Sequence, residues 1–456
     1  MKNEMSKSNK QNIIYQLFRC YLRFVHDRIF YKKVHRIGTA RIPQNGKPLL
    51  LVSNHQNCLN DPLGLILTFR DRKPHILARA DVIEYNWLTN KFLRGIGLLP
   101  AFRLDFDGED SLSRNADSFA ESENALLDGD TIIMYPEGRH QDKRWLGPFS
   151  SGFTKMAFEA AQKSNFEKEV FIQPSCNHYS DYYGIQNEIV LQFGKPISIA
   201  PYYELYKTKP RTAQRQVIEA VRNEIAGMML NITDLDNYTA IDFIRGVYGP
   251  QFALHGGLNP RHFPDMLQSD KQLVAALDTA HTLCTSAIDS IYANALTYKQ
   301  VLEQHHITDN DVARNASVGQ IAANIFSLLV FLPVWIVSLW PNLLIYCLPN
   351  IFIRRLNDKM FEGTIRYSMS VLLTIPVLYT AAVVITLILT NIWVAFFHLC
   401  LLPALAVFAW NYWQFLKRTC RMIRFRRLSA DKRQSLNALR KSIIEKLDEI
   451  IEIKKA

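Results

Sequence analysis

Apolar and polar positions divide the chain into stretches of different kinds. Between residues 38 and 202, short apolar runs alternate with longer mixed segments. Leu49–Val52, His75–Ala78, Leu98–Arg103, Thr131–Tyr135, Val170–Pro174 and Ile189–Phe193 are brief runs that predict short, buried strands. Helices are predicted from Pro62 onward, over Trp87–Gly95, Leu112–Leu127 and Phe153–Gln162, with Asp61 as N-cap of the first. Pro43–Gly46 and Asp128–Asp130 read as turns. Strands alternating with helices predict an α/β sheet flanked by helices, with its chemistry at strand ends. Residues 203–316 show no strand pattern and predict a helical extension.

The pattern then changes. Residues 317–415 are dominated by Leu, Ile, Val, Phe and Trp. A membrane span needs about 20 apolar residues. Residues 367–390 and 392–413 meet this and are separated only by Asn391, which predicts a C-terminal membrane hairpin. Residues 321–353 are long enough for one span, but Pro333, Pro341 and Pro349 interrupt them. A broken hairpin, re-entrant or interfacial, with an even number of crossings is expected there; one plain span is the alternative. Residues 416–456 read as a basic, cytoplasmic helical tail. At the other end, residues 13–33 mix aromatics and aliphatics with Arg19, Arg23 and Arg28. They are too charged to span, and within residues 1–37 they predict an amphipathic helix in the membrane interface. A helix packed on the core is the alternative.

Charge sharpens this division. The chain of 456 residues carries a formal net charge of +11, which raises nucleic acid as a partner. The basic residues, however, flank the apolar segments: Arg354, Arg355, Lys359 and Arg366 on one side, and Lys417, Arg418, Arg421, Arg424, Arg426 and Arg427 on the other. Such clusters mark the cytoplasmic side of a membrane and attract anionic lipid, so no nucleic-acid partner is expected. A multi-pass membrane protein with its catalytic domain on the cytoplasmic face is the predicted arrangement. Seven scattered cysteines include no Cys-x-x-Cys pair, which argues against a disulfide scaffold or a zinc site. Met1–Asn12 is polar and no signal-peptide pattern follows it.

The chemistry concentrates in Asn54-His55-Gln56-Asn57-Cys58-Leu59-Asn60-Asp61-Pro62. A histidine at a strand end, with a carboxylate a few residues on, can form a dyad. The carboxylate fixes the imidazole tautomer and stabilises the imidazolium, and the other ring nitrogen takes a proton from an alcohol. No Ser or Cys in a nucleophile-elbow setting stands out, so direct attack of an activated hydroxyl on an acyl thioester is simpler than a covalent acyl-enzyme. Backbone amides near the His55 turn are expected to polarise the thioester carbonyl.

The Asn-His-Gln…Asp-Pro motif, followed about 80 residues later by Tyr135-Pro136-Glu137-Gly138, resembles the glycerolipid acyltransferase family. Leu98-Leu99-Pro100-Ala101-Phe102-Arg103, Pro148–Gly152 and Phe171-Ile172-Gln173-Pro174 resemble further family blocks in the same order. The resemblance covers less than half of the chain. It implies an α/β fold and transfer of a fatty acyl group from acyl-CoA or acyl carrier protein, as co-substrate, to a hydroxyl of lysophosphatidate. Glycerol-3-phosphate and other lysolipids are alternative acceptors; a non-catalytic membrane remodelling protein is the alternative of another class. No bound cofactor or metal is implied.

The site residues implied are His55 as general base with Asp61, and Arg103, Glu137, Gly138, Arg139 and His140 as substrate-binding residues. Two departures stand out. The family places four residues between His and Asp, which would select Asn60, whereas here five intervene and the acid is Asp61. The family's Glu-Gly-Thr-Arg is here Glu137-Gly138-Arg139-His140, so that either Arg139 or His140 meets the acceptor phosphate.

Overall fold

A computed structural model describes residues 13–79, 87–95, 97–101, 111–138, 143–356 and 359–452. The chain forms two compact units, Met1–Met229 with Asn350–Val371, and Leu230–Pro349 with Leu372–Ala456.

The first unit is built on a mixed sheet. Helix α1 (Ile13–Val25) buries Leu22 and Val25 and exposes Leu17 and Phe24. One π-helical turn, His26–Phe30, ends it, and strand β1 (Tyr31–Ile37) follows. The predicted helix over residues 13–33 therefore stops early, because β1 gains a parallel partner in β7 (Asn187–Phe193) that local pattern cannot reveal. The other elements in chain order are β2 (Leu49–Ser53), α2 (Asn60–Ile66), β3 (His75–Arg79), α3 (Trp87–Gly95), β4 (Leu98–Ala101), α4 (Ser111–Leu127), β5 (Thr131–Met134), α5 (Gly152–Lys163), β6 (Phe171–Tyr179) and β8 (Ile197–Ser198). The strand order is β1-β7-β6-β2-β5-β3-β4, with β8 on β6. Pairing is parallel except for β6 with β7 and β6 with β8.

Strand β2 lies at the centre, between β5 and β6. Its Leu49, Leu50, Leu51 and Val52 are fully buried, as expected for a strand covered on both faces. Burial of each such side chain stabilises by about 1.5–3 kcal/mol, so the C-terminal end of β2 is a rigid platform. Strand β6 runs five residues beyond the predicted end at Pro174, to Tyr179, because its second half pairs with β7 (Ser175 opposite Phe193, Tyr179 opposite Ile189).

Two more helices, α6 (Tyr203–Thr208) and α7 (Pro210–Met228), complete this unit's core. Ala213, Val217, Val221, Ile225 and Met228 form one stripe of α7 and join Leu50, Val52, Ile172, Phe153 and Met156 in a single buried cluster. The predicted extension over 203–316 is thus divided: its first part belongs to the sheet, and only the chain from Leu230 onward belongs to the second unit.

The second unit contains helices Tyr238–His255, Phe263–Leu283, Thr285–Gln304, Asp309–Arg314 and Ala430–Glu452. Arg440 pairs with Asp309 at 2.8 Å, Arg421 with Asp311 at 3.4 Å, and Arg424 donates to the His306 carbonyl at 3.4 Å. Part of the basic tail is therefore engaged by protein rather than left for lipid.

Among the described residues, three stretches are long and apolar enough to cross a membrane: Val318–Trp340, Glu362–Leu389 and Ile392–Arg427. The predicted break within 321–353 falls at Trp340 (φ −92°, ψ 123°), which Pro341 forces out of helical geometry. The remaining piece, Asn342–Ile353, is short. At about 1.5 Å per residue it reaches roughly 18 Å, well under the ~30 Å hydrocarbon core. Polar tips on these helices find partners within the unit: Tyr412 on Leu328 O (2.8 Å), Trp335 on Ala409 O (3.2 Å) and Tyr379 on Asn342 (3.0 Å).

Candidate active site

The chain leaves β2 at Ser53 and turns sharply. Buried Asn54 fixes the exit by exchanging hydrogen bonds with Asn177 of β6: its amide donates to Asn177 O (3.1 Å), and its oxygen accepts from Asn177 N (2.8 Å). His55 follows. Its Nδ1 lies 2.8 Å from Asp61 Oδ2, its side chain is 19% exposed, and that of Asp61 is 0% exposed. The imidazole stacks on Tyr135, centroids 4.3 Å apart.

Asp61 is saturated with donors. Its Oδ2 accepts from His55 and from the backbone amides of Gln56 (2.7 Å) and Asn57 (2.8 Å), and its Oδ1 accepts from the Tyr179 hydroxyl (2.6 Å). A buried carboxylate needs such partners. With the carboxylate on Nδ1, the proton sits on Nδ1, and the basic lone pair belongs to Nε2. That is the tautomer a general base requires.

The long His–Asp spacing is absorbed at one residue. Cys58 has φ +37°, a left-handed conformation unusual for a non-glycine side chain. The bulge brings Asp61 to the imidazole. Asn60 instead sits with its amide near Asn57 Oδ1 (3.4 Å). Exchanging Cys58 for Gly relieves this strain and is expected to raise stability by about 0.5–1 kcal/mol, whereas Cys58→Val is expected to lower it by at least as much. Denaturant melts of the two variants check this. The predicted N-cap role of Asp61 is corrected: the helix begins at Asn60, Leu59 is its N-cap, and Asp61 in the first turn reaches back to the preceding loop.

Glu137 holds the backbone of the site. Its Oε1 accepts from the His55 amide (2.9 Å) and its Oε2 from the Gly147 amide (3.0 Å), so its carboxylate staples the His55 turn to the loop before α5. Gly138 has φ +67° with nothing within 4 Å of a would-be Cβ. That left-handed conformation favours glycine. Arg103, Arg139 and His140 lie outside the described residues.

Three features escaped sequence reading. Tyr179 comes from the unpredicted half of β6, and only pairing with β7 carries it to Asp61. Burial pushes its hydroxyl well above the usual tyrosine range, and the Asp61 charge beside it acts in the same direction, so it stays a donor. Arg144 is buried over the Tyr182 ring, 5.5 Å from the centroid, and near Tyr179 O (3.4 Å). Finally, the amides of His55, Gln56, Asn57, Leu59 and Asn60 go to Glu137, Asp61, Asp61, Thr364 and Asn57 O. These five amides are turned inward, each onto an acceptor of the protein. Tyr179→Phe deletes one donor to the Asp61 carboxylate and nothing else. A fall in kcat of about threefold to tenfold is expected, measured beside an unchanged far-UV CD spectrum.

Residues 33–177 match the family model described as acyltransferase. An uncharacterized acyltransferase of Schizosaccharomyces pombe is 22% identical over 372 residues, covering 62% of this chain and 53% of that protein. The chain therefore spans about half the length of the curated relative it matches. Among solved structures, the 1-acyl-sn-glycerophosphate acyltransferase PlsC of Thermotoga maritima aligns with a TM-score of 0.33 at 15% identity, over 47% of this chain and 78% of that one.

Proposed function

On the premise that residues 33–177 form an acyltransferase-family domain, we propose that the protein is a membrane-bound glycerolipid acyltransferase. The acceptor is lysophosphatidate and the donor an acyl thioester, acyl-CoA or acyl carrier protein. The observation that carries this reading is the 2.8 Å His55–Asp61 pair at the end of the central strand.

His55 Nε2 takes the proton of the acceptor hydroxyl as its oxygen bonds to the thioester carbon, and Asp61 offsets the charge that develops on the ring. The tetrahedral intermediate expels the thiolate, which takes the proton back from the imidazolium. One ester bond forms and one thioester bond breaks. Arg103 and either Arg139 or His140 hold the acceptor phosphate.

Lysophosphatidate is an amphiphile, and three apolar stretches suit a protein that meets its substrate in a bilayer. We place the catalytic unit on the cytoplasmic face, from the basic residues flanking those stretches, and the exposed Leu17 and Phe24 face of α1 in the lipid interface. The deciding experiment gives purified full-length protein in lipid nanodiscs each acceptor in turn (lysophosphatidate, glycerol-3-phosphate, other lysolipids), with labelled acyl-CoA and acyl carrier protein. Label in phosphatidate is the expected product. Label on another acceptor corrects the substrate, and no label with any acceptor, for a folded protein, removes the enzyme reading.

A further inference from the structure

The start of the second apolar stretch, Glu362–Leu389, does more than lead into a span. Asn350–Val371 belongs to the catalytic unit, and its helix Glu362–Tyr367 lies against the loop that carries the dyad. Thr364 Oγ1 accepts the backbone amide of Leu59 at 3.1 Å, across 305 positions of sequence. Gly363 fits where a Cβ would stand 2.6 Å from both Asn57 Oδ1 and Tyr182 O, so a larger residue there forces the strap off the loop. Asn57 itself donates to Tyr182 O at 2.8 Å. The strap is fixed at its far end too. Tyr367 is fully buried, its ring 4.8 Å from that of Phe30, and Tyr21 donates to Val371 O at 2.6 Å.

The loop needs this contact. Helix α2 has only seven residues, too short to be stable by itself, and its N-cap is Leu59, which has no side-chain acceptor to offer. The first turn of α2 sets where Asp61 stands, and the residue before Leu59 is the strained Cys58. Four of the loop's amides are held by Glu137, Asp61 and Asn57, all within the family-matching domain. The amide of Leu59 is held from far downstream, by a residue at the start of the apolar stretch Glu362–Leu389.

We propose that Thr364 is a positioning residue for the acyl-transfer site: from far downstream in the same chain it caps α2 and thereby keeps Asp61 aligned on His55. The proposal rests on the acyl-transfer reading, and it acts on a residue that touches neither substrate.

The test compares full-length wild type, Thr364→Val and Thr364→Ser in nanodiscs, with Thr364→Ala as a second variant should Val fail to fold. Val removes the acceptor at nearly constant volume, and Ser keeps it. Expected for Val or Ala is a fall in kcat of about tenfold with KM for both substrates unchanged, restored by Ser, and faster amide hydrogen exchange in peptides covering residues 56–61. Unchanged kcat in a folded Val or Ala variant, a rise in KM alone, or failure of Ser to restore kcat overturns the proposal. Should wild type transfer no acyl group to any acceptor, the functional reading fails instead. Exchange at residues 56–61 then decides the brace by itself: acceleration in Val or Ala upholds it, and none overturns it.

Discussion

Replacing His55 with Ala is expected to lower kcat/KM by about 10³-fold or more while leaving the protein folded. Two parts of this expectation have different origins. The kinetic part follows from removing the group proposed to accept the hydroxyl proton. An unassisted alcohol is a poor nucleophile toward a thioester, and proton transfer by a positioned base is worth about 10²–10⁴-fold. The stability part follows from what remains. Asp61 keeps the amides of Gln56 and Asn57 and the Tyr179 hydroxyl, so its buried charge still has three donors. The His55 ring is partly exposed and leaves a gap against Tyr135 that water can enter. A change in unfolding free energy within about 1 kcal/mol is therefore expected. Steady-state acyl transfer and denaturant melts on the same preparation check both parts. Activity above one-tenth of wild type in a folded His55→Ala protein would remove His55 from the reaction.

Much of this architecture was legible in the sequence. The buried runs at Leu49–Val52 and Thr131–Met134 are strands because such residues must be covered on both faces, and a pattern of that kind is local. The interruption at Pro341 was legible for the same reason: proline acts on its own neighbour. The His55–Asp61 pairing lies within seven consecutive residues, so spacing and chemistry sufficed to select it.

What was missed depends on long-range pairing. β1 is a strand because β7 lies beside it, and β6 reaches Tyr179 for the same reason. Glu137 sits in a recognisable motif, but its role as a staple for the His55 amide becomes visible only when two strand ends meet at β2 and β5. Thr364 had no sequence signal at all, being one polar residue at the edge of an apolar segment. The stripe on α7 was periodic and readable as amphipathic, yet nothing local showed which unit's core it would enter. Local spacing thus marked the His55–Asp61 pair, while Glu137, Tyr179 and Thr364, which hold its loop, come from three distant parts of the chain.

Asp61→Asn tests the second half of the dyad and should be damaging in two ways. The amide is neutral, so the imidazolium that forms during proton transfer loses its counter-charge. A fall in kcat of about 10³-fold is expected, comparable to that of His55→Ala. Unlike that variant, this one also weakens the fold. The carboxylate accepts four hydrogen bonds. An amide offers one oxygen, and its NH2 must face either the Tyr179 hydroxyl or the amides of Gln56 and Asn57. In the first orientation Tyr179 rotates to accept, and the loop survives without its charge-assisted bonds; in the second, donors face donors. Hydrogen bonds to charged groups contribute about 1.5–3 kcal/mol each, so a loss of roughly 2–4 kcal/mol in unfolding free energy is expected. The double variant Asn60→Asp with Asp61→Asn then asks whether the acid could sit one residue earlier, at the family's usual spacing. Asn60 is buried with its amide on Asn57 Oδ1 (3.4 Å), a partner that a carboxylate there would repel. No recovery over Asp61→Asn is expected from the double variant. Recovery of tenfold or more in kcat, with the fold intact, would show that the bulge can reset the register and that residue 60 can supply the acid.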